Sequence, residues 1–197
     1  MYISDIIPVS YQDEIERIIN ANDFPWFYTH DISPGSLVDD RITEASAICH
    51  TLYSTERGIN SDYFHSFRPI LYFLEEKTGI TCARFLRIRI RRSFPVPGHS
   101  LTKYNRPHID LPEIIPFTTL VYYTEDSDGD TILFKEEYYP GLDPDKVDVC
   151  SLTETDRFVP KKGAGLVFNG YRYHAGNNPV NFKKRTIINF DFVEREK

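Results

Sequence analysis

Two side chains that can bind a metal ion lie two residues apart in the segment Arg106-Pro107-His108-Ile109-Asp110. In an extended strand, residues i and i+2 point to the same face about 6–7 Å apart, so His108 and Asp110 can converge on one ion. A second imidazole from elsewhere in the chain would complete a set of two histidines and one carboxylate. Such a set leaves coordination positions open, which suits non-haem Fe(II) working with oxygen. Alone, the pair is weak evidence, because polar pairs of this kind also occur by chance at surface turns.

Beyond residue 80 the chain has the pattern of a series of strands. The stretch from Arg84 to Arg91 alternates between apolar residues and arginines, and therefore predicts a strand with two distinct faces. The two faces are Leu86, Ile88 and Ile90 on one side, and Arg87, Arg89 and Arg91 on the other. We expect the arginines to form a solvated face; the alternative is a groove that takes an acidic substrate.

Further short strands are predicted between turns. Residues 116–123 form one of them, with Thr119, Val121 and Tyr123 on a shared face. The others cover residues 131–134, 166–168 and 185–192. Residues 135–157 are polar and contain turn signals, so we expect an exposed excursion there. Short strands at regular spacing indicate a sandwich or a jelly roll.

The first third of the chain is predicted to support these strands. Ser10 to Asp13 resembles a capping box, and a helix is expected over residues 11–20. A second helical pattern ends near Gly79, with Pro69 in its first turn or at a kink. Two helices ahead of a strand-rich body predict packing against one face of a β-sheet.

Length, charge and cysteine spacing narrow the class of protein. The 197 residues are most simply one domain, with helical support over about residues 1–80 and a jelly-roll core over about 81–193. The net charge of −6 offers no general attraction to nucleic acid or to membranes, although local basic clusters are compatible with a basic groove. Cys49, Cys82 and Cys150 lack paired spacing, which disfavours disulfides and zinc–thiolate sites and fits the cytoplasm. No leader-like segment and no apolar run of about 18 residues is present, so neither secretion nor membrane spanning is expected.

Several pieces of the strand-rich region match a known family in order and spacing. They are Pro107-His108-Ile109-Asp110, Thr119-Leu120-Val121-Tyr122-Tyr123, Asp128-Gly129-Asp130-Thr131, Pro160-Lys161-Lys162-Gly163 with Val167-Phe168-Asn169-Gly170, Tyr173-His174, and Arg185-Thr186-Ile187-Ile188-Asn189-Phe190. Together they resemble the Fe(II)- and 2-oxoglutarate-dependent dioxygenases, especially the prolyl 4-hydroxylase-like branch. The resemblance covers roughly residues 84–193, and Arg185 follows His174 by 11 residues, within the range that the family uses.

The resemblance implies a mainly β fold with flanking helices, namely a double-stranded β-helix, the cupin-like jelly roll. It implies that His108, Asp110 and His174 are the iron ligands and the catalytic centre. Arg185 would pair with the distal carboxylate of the cosubstrate 2-oxoglutarate, since a guanidinium makes a planar, two-pronged pair with a carboxylate.

Three further residues are carried over from the family to the cosubstrate pocket. Tyr123 and Thr119 match positions that hydrogen-bond to the cosubstrate or line its pocket in prolyl-hydroxylase-like members. Tyr104 is a weaker match, because family tyrosines in this region usually lie one residue closer to the histidine. The chain also departs from the family at Ile187, where many members have a serine that assists the same carboxylate. That contact must come from elsewhere, and Tyr123 is the candidate.

The implied activity is the oxidation of a second substrate by O2, coupled to the conversion of 2-oxoglutarate to succinate and CO2. A peptidyl proline or a small amino-acid-like molecule is the expected substrate, and hydroxylation the expected result. Two alternatives stay open: a nucleobase-oxidising oxygenase of the same superfamily, and a non-enzymatic metal-binding jelly-roll module. A zinc hydrolase is disfavoured, because the sequence has no His-Glu-x-x-His and such an enzyme does not require an arginine and tyrosine pocket for a diacid.

Overall fold

The computed structural model of the protein describes residues 1–30, 40–43, 45–143 and 146–195. Its helices are α1 (Val9–Ile19), α2 (Phe64–Phe67), α3 (Ile70–Thr78) and a short 3-10 helix at Val149–Ser151. Its strands are β1 (Tyr2–Ile3), β2 (Phe27–Thr29), β3 (Ile42–Thr43), β4 (Ala47–Ser54), β5 (Gly58–Ile59), β6 (Cys82–Ser93), β7 (Tyr104–Asn105), β8 (Thr118–Tyr123), β9 (Thr131–Glu137), β10 (Glu154–Phe158), β11 (Gly165–Asn169), β12 (Arg172–Gly176) and β13 (Arg185–Glu194). The predicted predominance of strands is confirmed.

Most of the strands belong to two antiparallel sheets. The larger sheet has the order β1-β11-β8-β13-β6-β4-β2, with β5 paired to β4, and the smaller has the order β10-β9-β12. One face of the larger sheet, which we call the inner face, packs against the smaller sheet through Val121, Tyr123 and Ile187 on one side and Leu133 on the other. Two antiparallel sheets packed in this way form the predicted jelly roll.

The outer face of the larger sheet is covered by the helices. Ile15 and Ile19 of α1 are almost completely buried and lie in one apolar cluster with residues of β6, β8 and β13. Burying side chains of this size contributes roughly 1.5–3 kcal/mol each. Helix α1 begins at Val9, directly after Pro8, and no side chain caps its first turn. The predicted capping box is therefore wrong: Pro8 occupies the N-cap position, and the helix begins ahead of the supposed cap.

The second predicted helix is confirmed as α2 followed by α3. Pro69 separates the two, standing directly before Ile70, where its missing amide hydrogen costs no helical hydrogen bond. Gly79 ends α3 in the left-handed conformation with φ of 74°, which glycine adopts without strain. Among the described residues, no helix is both long and apolar enough to cross a membrane.

Strand β6 departs from its predicted alternation at one point. A bulge at Leu86 interrupts its pairing with β13, since Arg87 opposes Asp191 while Phe85 opposes Phe192. Leu86 consequently packs with the apolar residues of the smaller sheet and not with those of the outer face.

The arginines of β6 do not form the solvated face that the sequence predicts. Arg91 is only 8% exposed, and Arg87 and Arg89 are partly buried on the inner face. Alternation reveals that a strand has two faces but not which of them meets solvent. Here the helices cover the apolar face, so the arginines point into the interior of the jelly roll.

Most described residues between 135 and 157 are exposed, as predicted, but both ends of the stretch belong to strands. Strand β9 continues to Glu137, and β10 begins at Glu154 and pairs with β9. The side chains from this stretch that enter the core are Tyr138, Val149 and Leu152. Residues 144–145 lie outside the described ranges.

Candidate metal centre and anion pocket

Two backbone hydrogen bonds join His108 to His174. The N–H of His108 donates to the His174 carbonyl at 2.9 Å, and the N–H of His174 donates to the His108 carbonyl at 3.0 Å. Strand β12 carries His174, and His108 pairs with it as an isolated antiparallel bridge. The two imidazole centroids are 4.6 Å apart. Asp110 turns its carboxylate to the same place, so that one donor atom from each of the three side chains lies within 4.8 Å of the others.

Both imidazoles are oriented by main-chain carbonyl groups. Nδ1 of His108 lies 3.1 Å from the Arg106 carbonyl oxygen, and Nδ1 of His174 lies 3.2 Å from the Arg172 carbonyl oxygen. A carbonyl oxygen only accepts hydrogen bonds, so each Nδ1 carries a hydrogen. Burial, together with the adjacent His174, lowers the pKa of His108 to about 3. The imidazole is therefore neutral, which is the form that binds a metal ion.

Three neighbours hold the carboxylate of Asp110, whose side chain is 1% exposed. Arg87 donates a hydrogen bond to Oδ1, and Asn189 donates to Oδ2 at 3.0 Å. Nε2 of His174 lies 3.3 Å from the same Oδ2. Burial alone would raise the pKa of Asp110, but Arg87 and His174 lower it well below its usual range. The carboxylate is ionised and ready to act as a ligand.

A second carboxylate, Asp191, shares Arg87 with Asp110. Its Oδ2 lies 3.0 Å from Arg87 Nη2, and Thr119 donates a hydrogen bond to its Oδ1 at 2.8 Å. Burial and the nearby Asp110 raise the pKa of Asp191 to about 6. Arg87 thus links Asp110, the candidate ligand, to Asp191 and Thr119. Hydrogen-bonded residues of this kind orient the metal ligands in many proteins.

The donor set fits a divalent first-row metal ion. Two imidazoles and one carboxylate leave further coordination positions open, which suits non-haem Fe(II) better than a closed structural site. In the described part of the chain, the buried Oδ1 of Asn189 has no hydrogen-bond partner. A polar ligand or an ordered water is needed beside the site to satisfy it.

The pairing of β4, β6, β13 and β8 arranges the inner-face residues in rows across the larger sheet. The rows are Arg87, Asp191 and Thr119; Thr51, Arg89, Asn189 and Val121; Cys49, Arg91, Ile187 and Tyr123; and Ala47, Ser93 and Arg185. Neighbouring rows are about 6–7 Å apart. The first two rows supply the contacts to Asp110, and the other two carry Tyr123 and Arg185.

Arg185 crosses from β13 to the loop before β9 and to β9 itself. Its Nε donates to the Gly129 carbonyl at 2.6 Å, and its Nη2 donates to Thr131 Oγ1 at 2.7 Å. A glycine is required at position 129, because a Cβ there would lie 2.9 Å from Arg185 Cδ and 2.6 Å from the Asn177 carbonyl oxygen. Arg185 is 3% exposed, and no carboxylate of the described residues accepts a hydrogen bond from it. Asp130 is close enough to act on this charge but makes no hydrogen bond to it, so the site favours an additional anionic ligand.

Arg91 is a second buried guanidinium beside Arg185. A Cβ on Gly176 would lie 3.3 Å from Arg185 Nη1 and 3.4 Å from Arg91 Nη2, so the two side chains meet over this glycine. Burial, and after it the neighbouring Arg185, lowers the pKa of Arg91. Arg91 has neither a hydrogen bond nor an ion pair within the described ranges. One carboxylate between the two guanidinium groups could pair with both and would compensate one of their two charges.

The hydroxyl groups of Tyr123 and Thr131 add a neutral donor to this anion pocket. Tyr123 donates to Thr131 Oγ1 at 2.9 Å, and the same oxygen also accepts from Arg185. With both lone pairs of Thr131 occupied, its own hydrogen is left to donate to a ligand. Burial raises the pKa of Tyr123 to about 12, so its hydroxyl stays protonated.

The structure assembles the predicted site residues into two groups. His108, Asp110 and His174 form one, and Arg185 and Tyr123, linked through Thr131, form the other. Thr119 lies with Asp191, and Tyr104 is 3% exposed with its ring at 5.6 Å from that of Phe134. The predicted cosubstrate roles of Thr119 and Tyr104 stay predictions.

Sequence reasoning missed five members of the site: Arg87, Arg91, Thr131, Asn189 and Asp191. A signal for the last two exists, because Asn189 and Asp191 share the alternation of β13 with Arg185 and must lie on its face. For Arg91 the only signal was the alternation of β6, which does not reveal that a second arginine from another strand lies beside it.

Comparison with known proteins identifies the fold. No family model matches the chain, and no curated protein matches its sequence. Among solved structures, an oxidoreductase of the 2OG-Fe(II) oxygenase family from Burkholderia pseudomallei has a TM-score of 0.64 at 12% identity, covering 98% of this chain and 84% of that chain. A prolyl hydroxylase from Trichoplax adhaerens, in complex with a peptide fragment of a hypoxia inducible factor oxygen degradation domain, has a TM-score of 0.53 at 17% identity, covering 98% and 82%.

A third similar structure is the epimerase SnoN from nogalamycin biosynthesis, in complex with Fe3+, alpha ketoglutarate and nogalamycin RO. Its TM-score is 0.59 at 9% identity, covering 98% of this chain and 78% of that chain. At these identities the likeness establishes a shared fold, that of the 2OG-Fe(II) oxygenases. The names of the neighbours include a hydroxylase and an epimerase, so the fold by itself does not decide the reaction.

Proposed function

We propose that the protein is an Fe(II)- and 2-oxoglutarate-dependent dioxygenase. One observation carries the proposal: the residues that hold Asp110 of the metal triad, Arg87 and Asn189, and the guanidinium pair of Arg91 and Arg185 come from neighbouring rows of the same sheet face. A metal-binding set alone would fit many functions. A metal-binding set next to a buried pocket for an anion fits a cosubstrate that brings a carboxylate into the jelly roll.

The triad would hold the Fe(II) ion. When bound, the ion and 2-oxoglutarate supply an oxidation in which one atom of O2 enters the substrate as a hydroxyl group and the other enters succinate, with loss of CO2. The protein fixes the two imidazoles through carbonyl groups and keeps the His108 imidazole neutral by burial. Arg87 keeps Asp110 ionised, and Asn189 donates a hydrogen bond to the same carboxylate. These contacts preserve the ligand geometry before any ion arrives.

Arg185 and Arg91 would hold the distal carboxylate of 2-oxoglutarate, with Thr131 as a further donor. Two guanidinium groups and one hydroxyl offer more hydrogen bonds than a single arginine can make. This set replaces the serine that many members of the family have at the position of Ile187. In this arrangement Tyr123 acts through Thr131, to which its hydroxyl donates.

The preferred substrate class is a peptidyl proline or a small amino-acid-like molecule, and the preferred reaction is hydroxylation. The acidic net charge of −6 supports this choice over nucleic acid, which is usually bound through extended basic surfaces. A nucleobase-oxidising oxygenase is the second candidate, because Arg87 and Arg89 line a groove.

Spectroscopy and turnover test the proposal. Fe(II) and 2-oxoglutarate mixed with the protein without oxygen should give a weak visible charge-transfer band, and adding oxygen should release succinate. His174→Ala should lose both signals, whereas the control His65→Ala, at an exposed position, should keep them. Turnover with proline-containing peptides and with single-stranded oligonucleotides, across a salt series, separates the two substrate classes.

The outcomes decide between enzyme and binding module. A protein that binds metal but shows neither the band nor succinate would be a non-enzymatic jelly-roll module. Oligonucleotide binding that weakens steeply with salt, combined with stimulated succinate release, would favour the nucleobase oxygenase.

A further inference from the structure

A groove of about 450 Å³ opens beside the candidate metal centre. Its walls come from β2, β4 and β6 and from the turn after β4, and they include Phe27, Thr51, Arg57, Arg87 and Arg89. The groove lies next to the triad, because the guanidinium of Arg87, which lines it, also pairs with Asp110. A cavity of this size fits a small molecule or a short part of a peptide.

Arg89 is the uncompensated charge in this groove. The charge of Arg87 is taken up by Asp110 and Asp191, but Arg89 has no hydrogen-bond or ion-pair partner in the part of the chain that the structure describes. Burial, followed by the like charges of Arg87 and Arg91, lowers the pKa of Arg89 to about 10. The side chain is still protonated at neutral pH, so a partly buried cation faces the groove without a counter-ion.

The other walls narrow the chemistry of the occupant. Thr51 stands opposite Arg89 in the strand register and offers a hydroxyl group beside it. Arg57 is an exposed cation at the rim, and Glu56, next to it, is an exposed acid. Phe27 is 63% exposed and stacks on His50 with ring centroids 6.0 Å apart. The groove therefore combines one inner cation, neutral donors and an aromatic surface.

We infer that this groove binds the primary substrate through a carboxylate that pairs with Arg89. The inference rests on the proposed function, since it assigns the substrate of the same site. In the strand register Arg89 lies opposite Asn189, which donates a hydrogen bond to Asp110, and paired strands are about 4.8 Å apart. A carboxylate bound to Arg89 would therefore lie one strand spacing from the residue that holds Asp110. Such a short separation suits a small, amino-acid-like acid.

A nucleic acid fits these observations less well. Backbone binding of a strand requires several free cations along a groove, whereas Arg87 is neutralised by two carboxylates and Arg89 is the one free inner cation among the described lining residues. A single inner cation matches a single carboxylate.

The test uses full-length protein with Fe(II), 2-oxoglutarate and oxygen, and measures substrate-stimulated succinate release. The probes are N-acetylated amino acids, each paired with its carboxamide, and single-stranded oligonucleotides. We expect one or more acids to stimulate release and their amides to stimulate it much less. In Arg89→Gln the ratio of acid to amide kcat/KM should fall by roughly 10- to 100-fold, as expected for a lost hydrogen bond to a charged group, and Arg89→Lys should restore part of it. The control Arg84→Gln changes an exposed arginine on the same strand and should keep the parental ratio.

The ratio compares two ligands within one variant, so a general loss of folded protein leaves it unchanged. Equal stimulation by acids and amides, stimulation only by oligonucleotides, no stimulation by any probe, or an acid preference that survives in Arg89→Gln would each overturn the inference. In all four cases, succinate release by wild-type protein without added substrate would show that the proposed function itself still stands. Loss of that release as well would contradict both.

Discussion

His108 and His174 exchange both of their backbone hydrogen bonds, at 2.9 and 3.0 Å. The pairing joins a segment outside the named strands to β12 and fixes the two imidazoles on one side, 4.6 Å apart. It involves main-chain atoms alone, so it does not depend on a metal ion. The candidate metal centre is therefore prearranged by the fold, and a bound ion would gain affinity because little has to be ordered on binding.

The triad should bind one divalent ion. His174→Ala and Asp110→Ala should each abolish tight binding of Fe(II) without oxygen, or of Mn(II) in air, since the two remaining donors no longer form the three-ligand face. Isothermal titration measures the effect directly. His65→Ala, which changes an exposed histidine, should retain the parental affinity. Unchanged affinity in a His174→Ala, Asp110→Ala double variant would show that the ion binds elsewhere.

Arg87 should stabilise the metal-free protein. Its guanidinium is shared by the carboxylates of Asp110 and Asp191, whose side chains are 1% and 0% exposed. Arg87→Ala leaves two buried acids without their cation, and should lower the free energy of unfolding by about 3–5 kcal/mol. Urea unfolding measures the loss.

A divalent ion should offset part of that loss, because its charge replaces the missing cation beside Asp110. Mn(II) is therefore expected to raise the unfolding midpoint of Arg87→Ala more than that of the parent protein. Arg84→Ala, on the exposed end of the same strand, serves as the control. If Mn(II) raised the unfolding midpoints of Arg87→Ala and of the parent protein equally, Arg87 would not compensate the charge of the Asp110 carboxylate.

Arg185 should control the affinity for the distal carboxylate of 2-oxoglutarate. Arg185→Ala removes one partner of a buried ion pair and should weaken binding to the Mn(II)-loaded protein by roughly 2–5 kcal/mol. Arg185→Lys should recover only part, since an ammonium group lacks the two-pronged geometry. Metal binding should survive in both variants. If both variants bound 2-oxoglutarate with the parental affinity, Arg185 would not contact the cosubstrate and would serve only in packing.

Arg91 should contribute to the same carboxylate. Arg91→Gln is expected to weaken 2-oxoglutarate by roughly 1.5–3 kcal/mol, the range for hydrogen bonds to charged groups. The matched comparison is 2-oxovalerate, which has the same chain length as 2-oxoglutarate but no distal carboxylate. We expect it to bind more weakly than 2-oxoglutarate, and Arg91→Gln should hardly change its affinity. An equal loss for both ligands would point to a structural effect. Combining Arg91→Gln with Arg185→Lys in a double-mutant cycle measures whether the two side chains act on one group.

Relations within a strand were predictable from the sequence, because side chains alternate between faces with a period of two. This rule placed Thr119, Val121 and Tyr123 on one face of β8. It also brought His108 and Asp110 together, although the structure places both outside the named strands. The helix ending at Gly79 was predictable for a similar reason, since its signals are local. The family resemblance added His174 and Arg185, which no local rule connects to His108.

Relations between strands were decided only by the tertiary structure. The alternation in β6 separates arginines from isoleucines, but the arginines lie inside because helices cover the opposite face. Likewise, Arg91 and Arg185 meet over Gly176 because β6 pairs with β13 and both face β12. The sequence by itself determined which residues share a face. Which face is enclosed, and which charges meet there, depends on long-range pairing and on the layer that covers each sheet, and neither is encoded within one segment.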